Sequence, residues 1–392
     1  MKFMKDKLDE KKVVGIDGRC LLDVNYTGVS EYTVTLIKKL VRDYPSKEFV
    51  IFLNSFKTRG VQERLAWLRN YKNVRVKHYH YPSKLLNFCL WFFTYPKIDK
   101  MLGEVDIFIA PNISFLAVSK KVKFILTVHD LSFERFKETF SWKRRLWHFV
   151  VNPRKLCKNA DEIWTVSEST KWDLESLYKL PAKKIKVKPI VREMKCVIDN
   201  KNVAKTKLRS VQKKYNLPER FILYLGTIEP RKNVVSLLRA FEYLKENNKI
   251  AKDYHLVIAG QLGWRYKKIV EAIELSKFRK DILLTDFVES EDKPSYYQLA
   301  DVFVYPSLFE GFGIPVLEAM INGAPVVTSN NSSLPEVVGR VGIMIDPDSV
   351  DDLIDAIDLL INDRKLRDYY VQEGFEQAKR IVSRSVKMKL LE

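Results

Sequence analysis

Two glutamates, Glu310 and Glu318, bracket the chemically richest stretch of the sequence, Ser307-Leu-Phe-Glu-Gly-Phe-Gly-Ile-Pro-Val-Leu-Glu-Ala-Met320. A carboxylate accepts two hydroxyl hydrogen bonds, which suits the diols of ribose or a hexose. Gly311 and Gly313 permit tight backbone, and Pro315 fits the first turn of a helix. The orphan N–H groups of that turn form an anion site where a diphosphate would dock. The competing account makes either glutamate a cap or a surface position on a core helix; the two together beside Gly-Phe-Gly favour a ligand.

Three further clusters have residue types suited to chemistry. In Tyr224-Leu-Gly-Thr-Ile-Glu-Pro-Arg-Lys-Asn233, Arg231 and Lys232 put two cations at the positive end of a helix. An anionic ligand would relieve that clash, unless the two are a plain solvated pair. His129 beside Asp130 is either a tuned acid–base or a satisfied loop hydrogen bond. Asn25-Tyr-Thr-Gly28-Val-Ser-Glu31 is a glycine loop after the first strand that opens a helix. Neither G-x-G-x-x-G nor G-x-x-x-x-G-K-[ST] occurs, so dinucleotide and P-loop readings lose their main support.

The elements that must hold these residues alternate short β-branched runs with amphipathic stretches, the pattern of parallel sheets covered by helices. Strands are predicted at Val13–Asp17, Phe49–Leu53, Val74–Tyr79, Ile107–Ala110, Phe124–Val128 and Ile163–Val166. The second half repeats the rhythm with Phe221–Leu225, His255–Ala259, Ile282–Leu284, Val302–Tyr305, Pro325–Thr328 and Gly342–Ile345. Helices are expected at Ser30–Tyr44 and Lys143–Asn159 among others. In open α/β sheets ligands sit at the carboxyl ends of strands, where all four clusters fall. The seam is expected between Pro189 and Leu217, where the rhythm lapses and 12 Lys or Arg between 183 and 214 face only Glu193 and Asp199. That run reads as a solvated linker and helix face, with anionic lipid as the alternative target. The expected division is residues 1–190, a linker at 191–216, a second domain at 217–370 and a helix at 371–392 packing back on the first domain.

At 392 residues, two domains are the prior expectation, and 46% apolar with 30% charged residues is ordinary globular composition. An excess of 19 positive charges means that the surface attracts anions. Cys20, Cys89, Cys157 and Cys196 are widely spaced, which argues for structural thiols in a reducing cytosol. The charged leader 1–12 has no apolar core, so export is not expected. The longest apolar stretch, Leu85–Phe93, is about half of the ~20 residues needed to span a bilayer.

The Glu310-x7-Glu318 segment, continuing into Asn322-Gly-Ala-Pro325 and Glu336-Val-Val-Gly339, resembles the donor signature of retaining glycosyltransferases of family four. Those enzymes have the GT-B fold, two Rossmann-like domains with parallel sheets facing across a cleft. Gly15-Ile-Asp-Gly-Arg19, Thr27-Gly28, His129-Asp130 and Gly226 to Asn233 appear in family order, so the resemblance covers nearly the whole chain. The Gly-Thr-x-Glu-Pro-Arg-Lys-Asn variant is similar to mannosyltransferases of cell-surface polysaccharide assembly.

The resemblance implies that Glu318 holds the donor ribose, and that Glu310 with the backbone of Gly311, Phe312 and Gly313 contacts the transferred sugar. Ile314, Val316 and Leu317 complete that donor segment. It implies a diphosphate site at Lys232 and Arg231 beside Gly226 and Thr227, close backbone approach at Gly28, His129 near the sugar, and base packing at Phe287 and Val288. Thr227 stands where many members have Arg, and Arg231 is expected to supply the missing charge. Pro189-Ile-Val-Arg-Glu-Met194 lacks the family's glycine-containing turn at the seam.

The expected reaction is transfer of a hexose, with retention, from a nucleoside-diphosphate sugar to a saccharide or lipid-linked acceptor. GDP-mannose is the expected donor and a UDP-sugar the alternative. No metal or other cofactor is expected, because the sequence offers no D-x-D pair of the kind that chelates Mg²⁺ or Mn²⁺ in the other large glycosyltransferase fold, and the cations and helix start carry the leaving group's charge. The expected location is cytoplasmic, with peripheral contact on the inner leaflet of an anionic membrane. Leu85–Tyr95 and Phe140–Phe149 have the aromatic and basic composition of interfacial helices, although most of the first segment reads as core packing. Three rivals remain. One is a non-catalytic sugar-binding relative of the same fold; the second, a nucleic-acid-binding protein, lacks a recognised motif; the third, an oxidoreductase with two Rossmann halves, lacks the glycine fingerprint it would need.

Overall fold

A computed structural model describes residues 12–22, 28–56, 63, 65–192 and 201–391. The leader 1–11 and Asn25, Thr27, Glu193, Met194, Cys196 and Asp199, singled out above, lie outside the described residues.

Contacts divide the chain into two units. The first comprises Met1–Leu131, Trp142–Arg192 and Ser385–Glu392; the second comprises Ser132–Ser141 and Glu193–Arg384. In the first, β1 (Val13–Asp17), β2 (Glu48–Asn54), β3 (Val74–Tyr79), β4 (Ile107–Ala110), β5 (Lys123–Val128), β6 (Glu162–Thr165) and β7 (Ile185–Val187) form one sheet in the order 3-2-1-4-5-6-7. In the second, β8 (Phe221–Leu225), β9 (His255–Ala259), β10 (Ile282–Thr285), β11 (Val302–Tyr305), β12 (Val326–Ser329) and β13 (Ile343–Ile345) take the order 10-9-8-11-12-13.

Every pairing is parallel, from Val13↔Glu48 between β1 and β2 to Phe221↔His255 between β8 and β9. Parallel strands need crossover helices on both faces. That burial explains near-continuous apolar runs such as Phe-Ile-Leu-Tyr-Leu in β8, buried along its whole length. In both sheets the strand order reverses beside the first strand, between β1 and β4 and between β8 and β11. At such a switch point neighbouring loops diverge to opposite sides and leave room for a ligand.

The first unit carries helices α1 (Gly28–Asp43), α2 (Ser83–Phe92) and α3 (Trp142–Val151). The second carries α4 (Lys201–Lys214), α5 (Val234–Glu246), α6 (Ile314–Ile321) and most of α7 (Arg364–Lys387). The sequence differs from this in three places. β7 is an additional strand. The single helix expected over Lys143–Asn159 breaks at Asn152, which adopts φ 52° before Pro153 and caps the next helix through Lys155 N at 3.0 Å. Proline disfavours helical backbone in the preceding residue, which accounts for the break. The expected lapse between Pro189 and Leu217 contains α4, whose Lys214 pairs with Asp292 at 2.8 Å.

Residues from distant parts of the sequence complete each unit. In the first, Val191 N donates to Ser385 Oγ (2.9 Å), Lys39 Nζ to the Val386 carbonyl (2.6 Å), and Leu390 N and Leu391 N to Tyr44 OH (3.0 and 2.9 Å). In the second, the ten residues 132–141 lay Phe136 against Phe309 (5.6 Å between centroids) and stack Phe140 on Trp264 (5.4 Å).

Candidate active site

The loops after β8 and β11 meet at the switch point of the second sheet. The loop after β8 forms a short turn at Pro230–Lys232, and Asn233 then enters the left-handed region at φ 57° to start α5. The loop after β11 runs through Ser307 to Gly313, whose φ of 102° turns the chain into α6. Leu308 N donates to the Arg231 carbonyl (2.8 Å), which ties one loop to the other.

Between them lies a buried charge cluster. Lys232 Nζ contacts Glu310 Oε1 at 2.5 Å and donates to Tyr305 OH at 2.8 Å, while Ser307 Oγ donates to the same Oε1 at 2.6 Å. Arg231 reaches Glu310 Oε2 at 3.3 Å and Glu229 Oε1 at 2.8 Å, and its guanidinium also donates to the Phe309 carbonyl. Glu310, Glu229 and Lys232 are 7%, 1% and 7% exposed. The cationic clash inferred from Arg231 and Lys232 is therefore relieved by the protein's own carboxylates when no ligand is bound. Ser332 Oγ accepts from Glu310 N and Ser333 Oγ donates to the Glu310 carbonyl, both at 3.0 Å, so a third loop fixes the backbone of this carboxylate.

Burial opposes ionisation of Glu310, but Lys232 and Arg231 outweigh it and bring its pKa down to about 2. Burial, then repulsion from Arg231, holds Lys232 below its ordinary value, and burial raises Glu229. A carboxylate whose pKa is depressed on folding adds stability that is complete above its unfolded pKa and disappears as pH falls through the folded one. The stability difference between wild type and Glu310→Gln is thus expected to be largest near neutrality. It should close as pH falls from about 4.5 to about 2. Urea unfolding across that range measures it, and a difference independent of pH would refute the assignment.

α6 has no side-chain cap at its N-terminus, and because Pro315 carries no N–H and Val316 and Leu317 donate theirs within the turn, Ile314 N is what its first turn can offer an anion. The side chains of Val316 and Leu317 are fully buried, and their N–H groups donate to the Gly313 carbonyl at 3.1 and 3.2 Å. Gly311 and Gly313 are also buried, whereas Phe312 and Ile314 are partly exposed. Glu318 lies one turn further, 3% exposed, with Oε2 accepting from Tyr297 OH at 3.1 Å. Thr227 is exposed, and a side chain at Gly226 would press on the Tyr224 hydroxyl and the Tyr305 ring, which stacks on the Tyr224 ring at 5.8 Å. After β10, Phe287 is exposed and Val288 buried. A cavity of about 380 Å³ opens beside Pro230 and Asn233, lined also by Arg265 and Lys268, but neither Lys232 nor Glu310 lines it.

His129 and Gly28 belong to the first unit. His129 follows β5, and its Nε2 donates to the Pro111 carbonyl at 2.8 Å. Burial lowers its pKa, more than Pro111 and Asp130 raise it, so the ring is neutral at pH 7 with its proton on Nε2. Tyr32 meets the ring edge-on at 4.7 Å. Gly28 is exposed at the start of α1, with no described residue within 4 Å of where a side chain would go.

Sequence reasoning does not single out Glu229, Tyr305, Ser332 or Tyr297 as partners in this site. Glu229 stands inside a quoted motif, and a glutamate before Pro-Arg-Lys is the one signal that could have found the second counter-ion. The tyrosines read as strand and helix core, which they also are.

Residues 206–377 match the family described as glycosyl transferases group 1, and residues 26–189 match glycosyltransferase family 4. The O-antigen chain mannosyltransferase B of Escherichia coli is 33% identical over 363 residues, covering 90% of this chain and 92% of its own. A glycosyltransferase from Rickettsia africae superposes with TM-score 0.70 at 17% identity, covering 96% of both chains. Anabaena HepE, solved in complex with UDP and glucose, superposes with TM-score 0.69 at 17% identity, covering 95% of this chain and 97% of its own.

Proposed function

The chain belongs to the glycosyl transferases of group 1, family-four enzymes with the GT-B fold, and from that premise we propose that it moves mannose from GDP-mannose, with retention. It is a hexosyltransferase of polysaccharide synthesis. The proposed acceptor is a saccharide or lipid-linked saccharide at the cytosolic face of a membrane.

The observation that carries this reading is the buried Lys232–Glu310–Arg231 cluster beside the uncapped start of α6. As the glycosidic bond breaks, negative charge grows on the β-phosphate. Lys232, Arg231 and Ile314 N at the start of α6 carry that charge in place of a metal ion, each well-placed donor contributing ~3–4 kcal/mol. A diphosphate draws Lys232 towards itself and leaves Glu310 free to accept from sugar hydroxyls. Glu318 takes the ribose diol, and Phe287 offers its exposed ring to the base. The acceptor attacks on the face from which the diphosphate leaves, which gives retention.

GDP is expected to raise the unfolding temperature, with UDP and ADP as comparisons, and Glu318→Ala to abolish the shift. Stabilisation by NAD alone would overturn the transferase reading. Turnover of GDP-mannose against UDP-sugars then decides the donor, with Glu310→Ala as the inactive control.

A further inference from the structure

Two helices of the first unit show apolar faces to solvent. In α2, Leu86 and Leu90 are buried, while Leu85, Phe88 and Phe92, at helical spacing on another face, are 56%, 47% and 63% exposed. Trp91 and Phe93 are exposed beside them, and the rings of Phe88, Trp91, Phe92 and Phe93 touch one another at centroid distances of 4.9 to 6.1 Å. The core packing expected for this segment holds only for the two leucines. In α3 only Val151 is buried, and Trp142, Leu146 and Phe149 line one exposed stripe. Apolar clusters of this kind on a soluble protein mark an interaction surface.

Charge narrows the partner. Residues 65–98 contain six Lys or Arg and no Asp or Glu, and residues 142–160 repeat that count. Lys84, Lys143 and Arg145 are exposed. A second copy of the chain would bring these cations together with no local carboxylate opposite them. A bilayer with anionic headgroups supplies both an apolar layer for the rings and negative charge for the flanking lysines and arginines. The basic run around α4 is a poorer candidate, because Lys207 and Lys214 are directed to Asp292. Among the described residues no helix is long and apolar enough to cross a membrane, so the contact lies at the surface.

We propose that α2 and α3 dock the first unit on an anionic lipid surface, with Phe88, Trp91, Phe92, Trp142 and Phe149 entering the headgroup boundary. The docking needs neither donor nor acceptor, so its test is independent of the transferase reading. The protein is expected to float with phosphatidylcholine vesicles that contain phosphatidylglycerol, and far less with phosphatidylcholine alone. Phe88→Ser/Trp91→Ser/Phe92→Ser should weaken partitioning on the order of a hundredfold. Lys143→Glu/Arg145→Glu should weaken it roughly tenfold or more, on anionic vesicles only. Brominated acyl chains should quench tryptophan emission of the intact wild type, and Trp91→Phe should reduce that quenching without disturbing the fold. The proposal fails if the protein does not float at low salt, if the triple variant floats like wild type, or if bromine quenches nothing. It also fails if the triple variant instead dissolves a dimer seen by light scattering.

Discussion

Lys232→Met is expected to lower kcat by about two to three orders of magnitude, the effect of removing one donor from a developing oxyanion. The same substitution leaves Glu310 buried beside Arg231 alone, so it should also destabilise the fold by about 3 kcal/mol or more. These two losses separate in the double variant Lys232→Met/Glu310→Gln. Neutralising both partners removes the unpaired charge, so much of the thermal stability should return while the rate stays low. Release of nucleoside diphosphate measures the first quantity and thermal unfolding the second. A wild-type rate in the single variant would remove Lys232 from the chemistry. Recovery of rate in the double variant would mean that the lysine only balances Glu310.

Gly260→Ala is expected to lower stability by about 3 kcal/mol or more, or roughly 10 °C in Tm. Gly260 has φ 138°, and a Cβ there would lie 2.1 Å from the Gly226 carbonyl oxygen, a backbone atom that cannot swing aside. The loop that carries Arg231 and Lys232 hangs from this point through Gly226 N to the Ala259 carbonyl and Ile228 N to the Gln261 carbonyl, both 2.9 Å. Nucleotide stabilisation should therefore weaken with the fold. Gly28→Ala is the contrasting substitution. No described residue lies within 4 Å of where a side chain would go, so Tm should hardly move. A Gly260→Ala protein that unfolds like wild type would sink the packing argument.

Much of the donor segment is legible in the sequence because its motifs are local. Gly-Phe-Gly followed by Ile-Pro specifies a turn into a helix, and Pro-Arg-Lys-Asn specifies another, so the backbone around Glu310 and Lys232 can be read without a partner in view. Their mutual contact cannot, since it depends on β8 and β11 lying side by side across some 80 residues of sequence. For the same reason Arg231 and Lys232 look like cations in search of a ligand, although Glu229 and Glu310 already face them. Gly260 is silent in sequence because its need for glycine comes from a strand neighbour's carbonyl. β7 is hard to see because it is three residues long and its middle one is a lysine. α4 is disguised by its lysines and scarce apolar side chains. α2 misleads in the opposite sense, as Phe and Trp read as core wherever they occur and only the structure shows which face they take.

Val191 reaches Ser385, and Tyr44 receives the N–H groups of Leu390 and Leu391. On the ribosome this imposes a schedule. β1 to β7 emerge early, yet the unit that they build waits for about two hundred further residues before Ser385 leaves the exit tunnel. The second unit, which runs to Arg384, receives its last residue at almost the same moment. The half translated first is therefore completed no earlier than the half translated second.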